Sequence, residues 1–134
     1  MATATVKYLG DLRTECTHTA SGTVIYTDAP VDNRGKGEKF SPTDLVATAY
    51  ASCFLSIVAM FCEDHGYPFT HGEASVTKVM ESNPRRISKI EITMDLTGNN
   101  WDEKTAEKVI RAGKTCPVAK SINENIELDI TFNV

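Results

Sequence analysis

The sequence predicts a single α+β domain spanning residues 1–134, in the element order β-β-β-α-β-β-α-α-β. Three observations carry that reading. A charge-free run from Leu45 to Cys62 follows a strong helix-start signal. Two later segments alternate apolar and polar residues with the period of a half-buried strand. Strand-like and helix-like segments also follow one another in blocks rather than in strict alternation. A chain of 134 residues fits one domain. At this size roughly 65–70% of the unfolded surface is buried, enough for a core without disulfide staples.

Taken in order, residues 2–27 read as strands. Val6 and Tyr8 alternate with polar neighbours, the pattern continues from Leu12 to Thr19, and Ser21-Gly22 makes a turn before Thr23–Tyr26. Pro30, Gly35 and Gly37 break the chain into a loop over 28–40. Ser41-Pro42-Thr43-Asp44 then starts a helix: Ser41 caps, Pro42 takes the first helical position and Asp44 is the acceptor three places after the cap. The helix is expected to reach about Asp64 and to stop at Gly66 and Pro68. Apolar nearly all round, it reads as the buried centre of a domain or dimer. Its charge-free stretch reaches the lower length of a membrane span. The acidic flanks (Asp44, Glu63, Asp64) and the diluting Thr48, Ser52 and Ser56 argue against one.

Glu73–Glu81 and Ile87–Thr97 are the next expected strands. The second sets Ile90, Ile92, Met94 and Leu96 against Lys89, Glu91, Thr93 and Asp95. Asp102–Ala112 has an apolar side formed by Ala106, Val109 and Ile110, with Gly113 as the expected helix stop. A short helix from Pro117 to about Glu124 precedes a last strand, in which Ile126, Leu128, Ile130 and Phe132 alternate with polar residues.

Composition narrows the function classes. Hydrophobic residues make up 41% and charged residues 24%, and the net charge is −4. Mild acidity without a basic cluster argues against nucleic acid as a partner. No basic segment leads into an apolar run at the start, so the expected compartment is the cytoplasm. The four cysteines at 16, 53, 62 and 116 contain no Cys-x-x-C spacing, which disfavours zinc-ribbon and thioredoxin-like readings. Cys16 and His18 share a strand face but lack a second half-site, so no metal is expected. His65 and His71 flank a turn and read as surface residues. No phosphate loop, dinucleotide fingerprint or serine-nucleophile motif occurs, and no cofactor is expected.

Two cysteines stand in positions where chemistry is possible. Cys53 lies about three turns into the apolar helix, where a thiol is most often an inert small hydrophobe. The helix dipole acts only near the first turn, so a thiolate there needs a cation from another segment, Arg13 or Arg34. Arg13 shares its strand face with Glu15, and such pairs are most often solvated ion pairs. Cys116 precedes Pro117 and reads as a helix cap, a position that favours a thiolate. Cys62 follows Cys53 by nine residues on the same helix, two and a half turns, and so points the opposite way.

The segments Phe40-Ser-Pro-Thr-Asp-Leu-Val-Ala-Thr-Ala-Tyr-Ala-Ser-Cys53-Phe and Lys114-Thr-Cys116-Pro-Val-Ala-Lys together resemble the OsmC/Ohr family, the osmotically inducible and organic hydroperoxide resistance proteins. The resemblance implies an intertwined homodimer with antiparallel sheets around a long central helix. It implies a thiol peroxidase acting on organic hydroperoxides, with Cys53 as the peroxidatic and Cys116 as the resolving cysteine. An external dithiol, in some members a lipoylated protein, would reduce the resulting disulfide. Tyr50, Phe54 or Leu55 would line the pocket for an alkyl chain. The family's peroxidases carry an acidic residue, paired with the catalytic Arg, directly after the helix-start Pro; here that place holds Thr43, with Asp44 one position later. Arg13 is the favoured cation and Arg34 the alternative. A non-catalytic apolar-ligand binder and a redox sensor of the same fold are the other readings.

Overall fold

The computed structural model describes residues 1–134, which divide into two compact units, residues 1–46 and 47–134. The first holds an antiparallel meander of β1 (Ala4–Gly10), β2 (Arg13–His18) and β3 (Val24–Asp28) in the order β1-β2-β3. Asp11 and Leu12 both take left-handed φ values, 53° and 62°, which matches the right-handed twist of a tight hairpin. Apolar residues on the meander stay exposed, Val6 at 67% and Tyr8 at 64%. The segment after β3 forms a single 3-10 turn at Val31–Asn33. Gly35 then presses against the backbone of Ala29, where a Cβ would stand 1.7 Å from the Ala29 carbonyl oxygen, so only glycine fits.

Helix α1 (Pro42–His65) begins as the sequence predicts. The Asp44 N–H donates to Ser41 Oγ at 3.0 Å, and the Ser41 N–H donates to Asp44 Oδ2 at 2.9 Å, a reciprocal capping box. By length and hydropathy α1 could cross a membrane. Its inner stripe packs as a core helix does: Ala47, Tyr50, Ala51, Phe54, Val58 and Cys62 meet Ile90, Ile92, Met94 and Leu96 and the Val109 side chain. The expectation of burial nearly all round holds for that stripe only, because Met60 is 56% exposed.

The second unit adds β4 (Glu73–Glu81), β5 (Arg86–Asp95), α2 (Glu103–Gly113), α3 (Pro117–Ser121) and β6 (Glu127–Asn133), with sheet order β4-β5-β6. β4 and β5 are antiparallel, but β5 and β6 are parallel, so this sheet is mixed where antiparallel sheets were expected. The intervening α2 and α3 supply the long crossover that a parallel pair requires. β5 stops two residues earlier than its alternation suggests, because Thr97 folds back onto Asp95 Oδ1 through its N–H (3.0 Å) and hydroxyl (2.7 Å). Asp102 proves to be the cap of α2 rather than its first residue, accepting from the Thr105 N–H at 2.7 Å. Gly113 is the last residue of α2, not a left-handed stop. A Cβ there would lie 2.5 Å from the Phe54 ring, so glycine serves close packing. α3 ends at Ser121, short of Glu124, as Ile122 turns extended.

Candidate active site

Cys53 and Cys116 come together in the 47–134 unit, near enough that Cys53 helps to raise the Cys116 thiol. Cys53 is half-buried on α1, Cys116 is fully buried, and both are free thiols. Cys116 has the extended backbone of a cap (φ −60°, ψ 147°) with Pro117 opening α3, and its Sγ accepts from the Ala119 N–H at 3.4 Å. The Cys116 N–H donates to the Gly113 carbonyl at 3.2 Å, which anchors it to the end of α2. The cap geometry matches expectation, but its electrostatic consequence is reversed. Burial pushes the Cys116 thiol up and outweighs the N–H groups of Ala119 and Val118 that pull it down. Cys116 therefore enters as a neutral thiol.

Tyr50 stands one turn before Cys53, a spacing that puts both on one helix face. Burial, then the charges that Cys116 and Cys53 carry when ionised, push its hydroxyl up to about 12. Tyr50 also lines an open cavity of about 310 Å³ with Lys114, Leu128, Ile130 and Phe132. The Lys114 ammonium lies 5.5 Å over the Phe132 ring. Of the three residues expected to line a pocket here, Tyr50 does so. Phe54 is in the core against Phe132 and Gly113, and Leu55 packs beside Phe69 and Gly72.

Arg13, in the 1–46 unit, is held by two carboxylates. Its Nε donates to Asp28 Oδ1 at 2.7 Å and its Nη2 to Asp28 Oδ2 at 2.9 Å; Nη2 also reaches Glu38 Oε1 at 3.3 Å. The partner expected from the sequence was Glu15, but Arg13 pairs in register with Asp28 across β2 and β3. Asp28 is fully buried and also accepts from the Glu38 N–H at 3.1 Å. Its bonds to Arg13 hold its carboxyl below the usual range, against burial, and the Glu38 and Lys39 N–H groups help. Neither Asp28 nor Glu38 stood out in the sequence, since strand register reveals the Asp28 pairing and Glu38 reaches Arg13 from the loop that follows β3.

The other candidates are placed differently. Arg34 is exposed in the loop, at left-handed φ 66°. Asp44 belongs to the capping box of α1, and the Thr43 hydroxyl lies 3.1 Å from Ser41 Oγ. Cys62 is buried in the core, and burial pushes its thiol up. Cys16 contacts Thr14 Oγ1 at 3.7 Å, and His18 Nδ1 pairs with Ser21 Oγ at 2.7 Å. His65 Nδ1 sits 2.8 Å from the Phe61 carbonyl, and its ring stacks on Phe61; His71 Nδ1 lies 3.1 Å from the Thr97 carbonyl.

A solved structure from Psychrobacter arcticus, named as an osmotic stress induced and detoxification response protein, matches with a TM-score of 0.93 and 45% identity, covering 99% of this chain and 96% of that one. An organic hydroperoxide resistance protein OsmC from Legionella pneumophila shares the fold, with a TM-score of 0.76 at 19% identity over 100% of this chain and 98% of that one. An organic hydroperoxide resistance protein-like sequence from Staphylococcus aureus is 31% identical over 101 residues, 73% of this chain and 72% of its own length. One from Mycoplasma genitalium is 30% identical over 94 residues, 69% and 67% respectively. The OsmC-like protein family model matches residues 35–131, a stretch that holds both Cys53 and Cys116. With that match spanning most of the chain, and with the two cysteines of the resemblance brought near each other, this chain belongs to the OsmC-like family.

Proposed function

We propose that this chain is a cytoplasmic thiol peroxidase that reduces organic hydroperoxides, with Cys53 as the peroxidatic and Cys116 as the resolving cysteine. The observation that carries the reading is the proximity of the two thiols, near enough that one shifts the ionisation of the other before any oxidation. The names of the Staphylococcus and Mycoplasma relatives point the same way.

The Cys53 thiolate attacks the distal peroxide oxygen, the O–O bond breaks, and the alkoxide leaves as an alcohol after taking a proton. Cys53 is now a sulfenic acid. The Cys116 thiol displaces its hydroxyl as water, and a disulfide forms. An external dithiol, which a lipoylated protein could provide, restores both thiols by exchange. The high pKa of Cys116 suits this order, because a neutral Cys116 leaves the first attack to Cys53. The cavity beside Tyr50 takes the apolar part of the substrate. Arg13 is the proposed cation for the Cys53 thiolate, and its two carboxylate contacts keep it ordered.

Cys53→Ser is expected to reduce peroxide-dependent dithiol consumption to background. Cys116→Ser is expected to leave a sulfenic acid on Cys53 that dimedone traps, seen as a mass shift. Equal turnover by wild type and Cys53→Ser would end the reading.

The working form is proposed to be a homodimer. Val6, Tyr8, Val24 and Ile25 are exposed apolar side chains on strands, and Met60 is another on α1, more bare surface than a lone domain carries comfortably. Sedimentation is expected to give twice the mass of 14.7 kDa, and a Val6→Glu/Tyr8→Glu variant to shift toward monomer.

A further inference from the structure

We propose that Tyr50 is a catalytic residue of the peroxidase step: its hydroxyl donates the proton that turns the departing alkoxide into an alcohol. This rests on the reading of Cys53 as the peroxidatic thiolate.

Tyr50 and Cys53 are three residues apart on α1, a spacing that sets side chains on one helix face with Cβ atoms roughly 5–6 Å apart. The Tyr50 ring packs in the core, tilted against Phe54, and the residue is only 1% exposed. A buried tyrosine hydroxyl ordinarily has a hydrogen-bond partner. This one has none in the protein, yet it is not sealed off, since Tyr50 forms part of the wall of the open cavity of about 310 Å³. The rest of that wall is Leu128, Ile130 and Phe132, with Lys114, whose exposed ammonium lies over the Phe132 ring. The hydroxyl is therefore an unused donor, beside an apolar wall and on the face of α1 that carries the attacking sulfur.

The leaving group needs such a donor. When the Cys53 thiolate attacks the distal oxygen, the oxygen that departs is the one bonded to the organic group. A substrate seated with that group against Leu128, Ile130 and Phe132 has its departing oxygen next to Tyr50. The O–O bond breaks with its electron pair on that oxygen, the Tyr50 proton moves to it, and the alcohol leaves. The phenolate regains a proton from solvent, the equivalent of the one that Cys53 lost on ionising. Burial, then the charges of ionised Cys116 and Cys53, hold the hydroxyl up at about 12, so it keeps its proton at neutral pH and is still a stronger acid than an alcohol. The Cys116 thiol is the other proton nearby, but it has no solvent exposure and is not on the cavity wall.

The experiment follows single-turnover thiol loss in the reduced full-length protein at pH 7 with two oxidants. Cumene hydroperoxide expels a strongly basic alkoxide, whereas perbenzoic acid expels benzoate, a weak base that needs no proton. Tyr50→Phe keeps the ring and removes only the donor. It is expected to slow the reaction with cumene hydroperoxide by roughly a hundredfold and that with perbenzoic acid by less than about threefold. A wild-type rate with cumene hydroperoxide overturns the proposal while leaving the peroxidase reading intact. Equal slowing with both oxidants also overturns it, because the lost hydroxyl would then act on the thiolate or the packing and not on the leaving group. Turnover that survives Cys53→Ser overturns both. If circular dichroism shows Tyr50→Phe unfolded, the wild type decides: heavy water is expected to slow the reaction with cumene hydroperoxide more than that with perbenzoic acid, and equal isotope effects overturn the proposal.

Discussion

Residues 47–134 bury twelve side chains in one cluster, from Ala47 to Cys116, all apolar or sulfur-bearing apart from the Tyr50 hydroxyl. Residues 1–46 bury only Thr27, Asp28 and Ser41, all polar. The larger unit is ordered mainly by packing, which is insensitive to pH and registers changes of volume, with Asn99 as its one buried polar side chain outside the cluster. The smaller is ordered by hydrogen bonds and one buried carboxylate, which are directional and respond to protonation. The proposed chemistry divides along the same line. The two thiols sit in the apolar unit, where burial keeps Cys116 neutral, and the proposed cation sits in the polar one, where its carboxylate partners hold it charged.

The contrast can be broken at three points. The largest effect is expected from Phe54→Ala, which removes a ring with no solvent exposure that packs on Phe132 and Gly113. The expected loss is about 3–5 kcal/mol in urea unfolding. A loss below about 1 kcal/mol would mean that the cluster is not the source of order in residues 47–134. Gly113→Ala comes next. A methyl group 2.5 Å from the Phe54 ring is expected to cost about 1–3 kcal/mol, and Phe54→Leu on the same background is expected to recover part of it. A stabilised Gly113→Ala would instead make the position one governed by helix propensity.

The smallest global effect is expected from acid. Asp28 is depressed in the folded state, so its contribution is complete above the ordinary carboxylate value near ~3.9 and is lost as pH falls through its lower folded value. Amide exchange is expected to loosen at Arg13–Asp28 in that window while Ile90–Met94 stays protected. Asp28→Asn is expected to abolish the difference. Simultaneous loosening of both segments would erase the distinction between the units.

Much of the fold was legible because its signals are local. The Ser41–Asp44 capping box and the stop at Gly66 place α1, and the alternation from Ile90 to Leu96 marks the buried face of β5. Cys53 and Cys116 were legible as a pair through the resemblance of their flanking motifs. Gly113 marked the end of α2 correctly but for another reason, since nothing local reveals the aromatic ring above it. Asp28 gave no signal at all, because an acid at the end of a strand is ordinary until its cross-strand partner is known.

By itself, then, the sequence determined the elements and their order, because caps, breakers and periodicity act over a few residues, and its two cysteine motifs carried the resemblance to the family. Only the tertiary structure decided that β6 runs parallel to β5, that the Cys53 and Cys116 side chains lie near each other, that burial overrides the helix cap at Cys116, and that Asp28 holds Arg13. Each of these depends on residues distant in the chain, and desolvation or strand register is not encoded within any one segment.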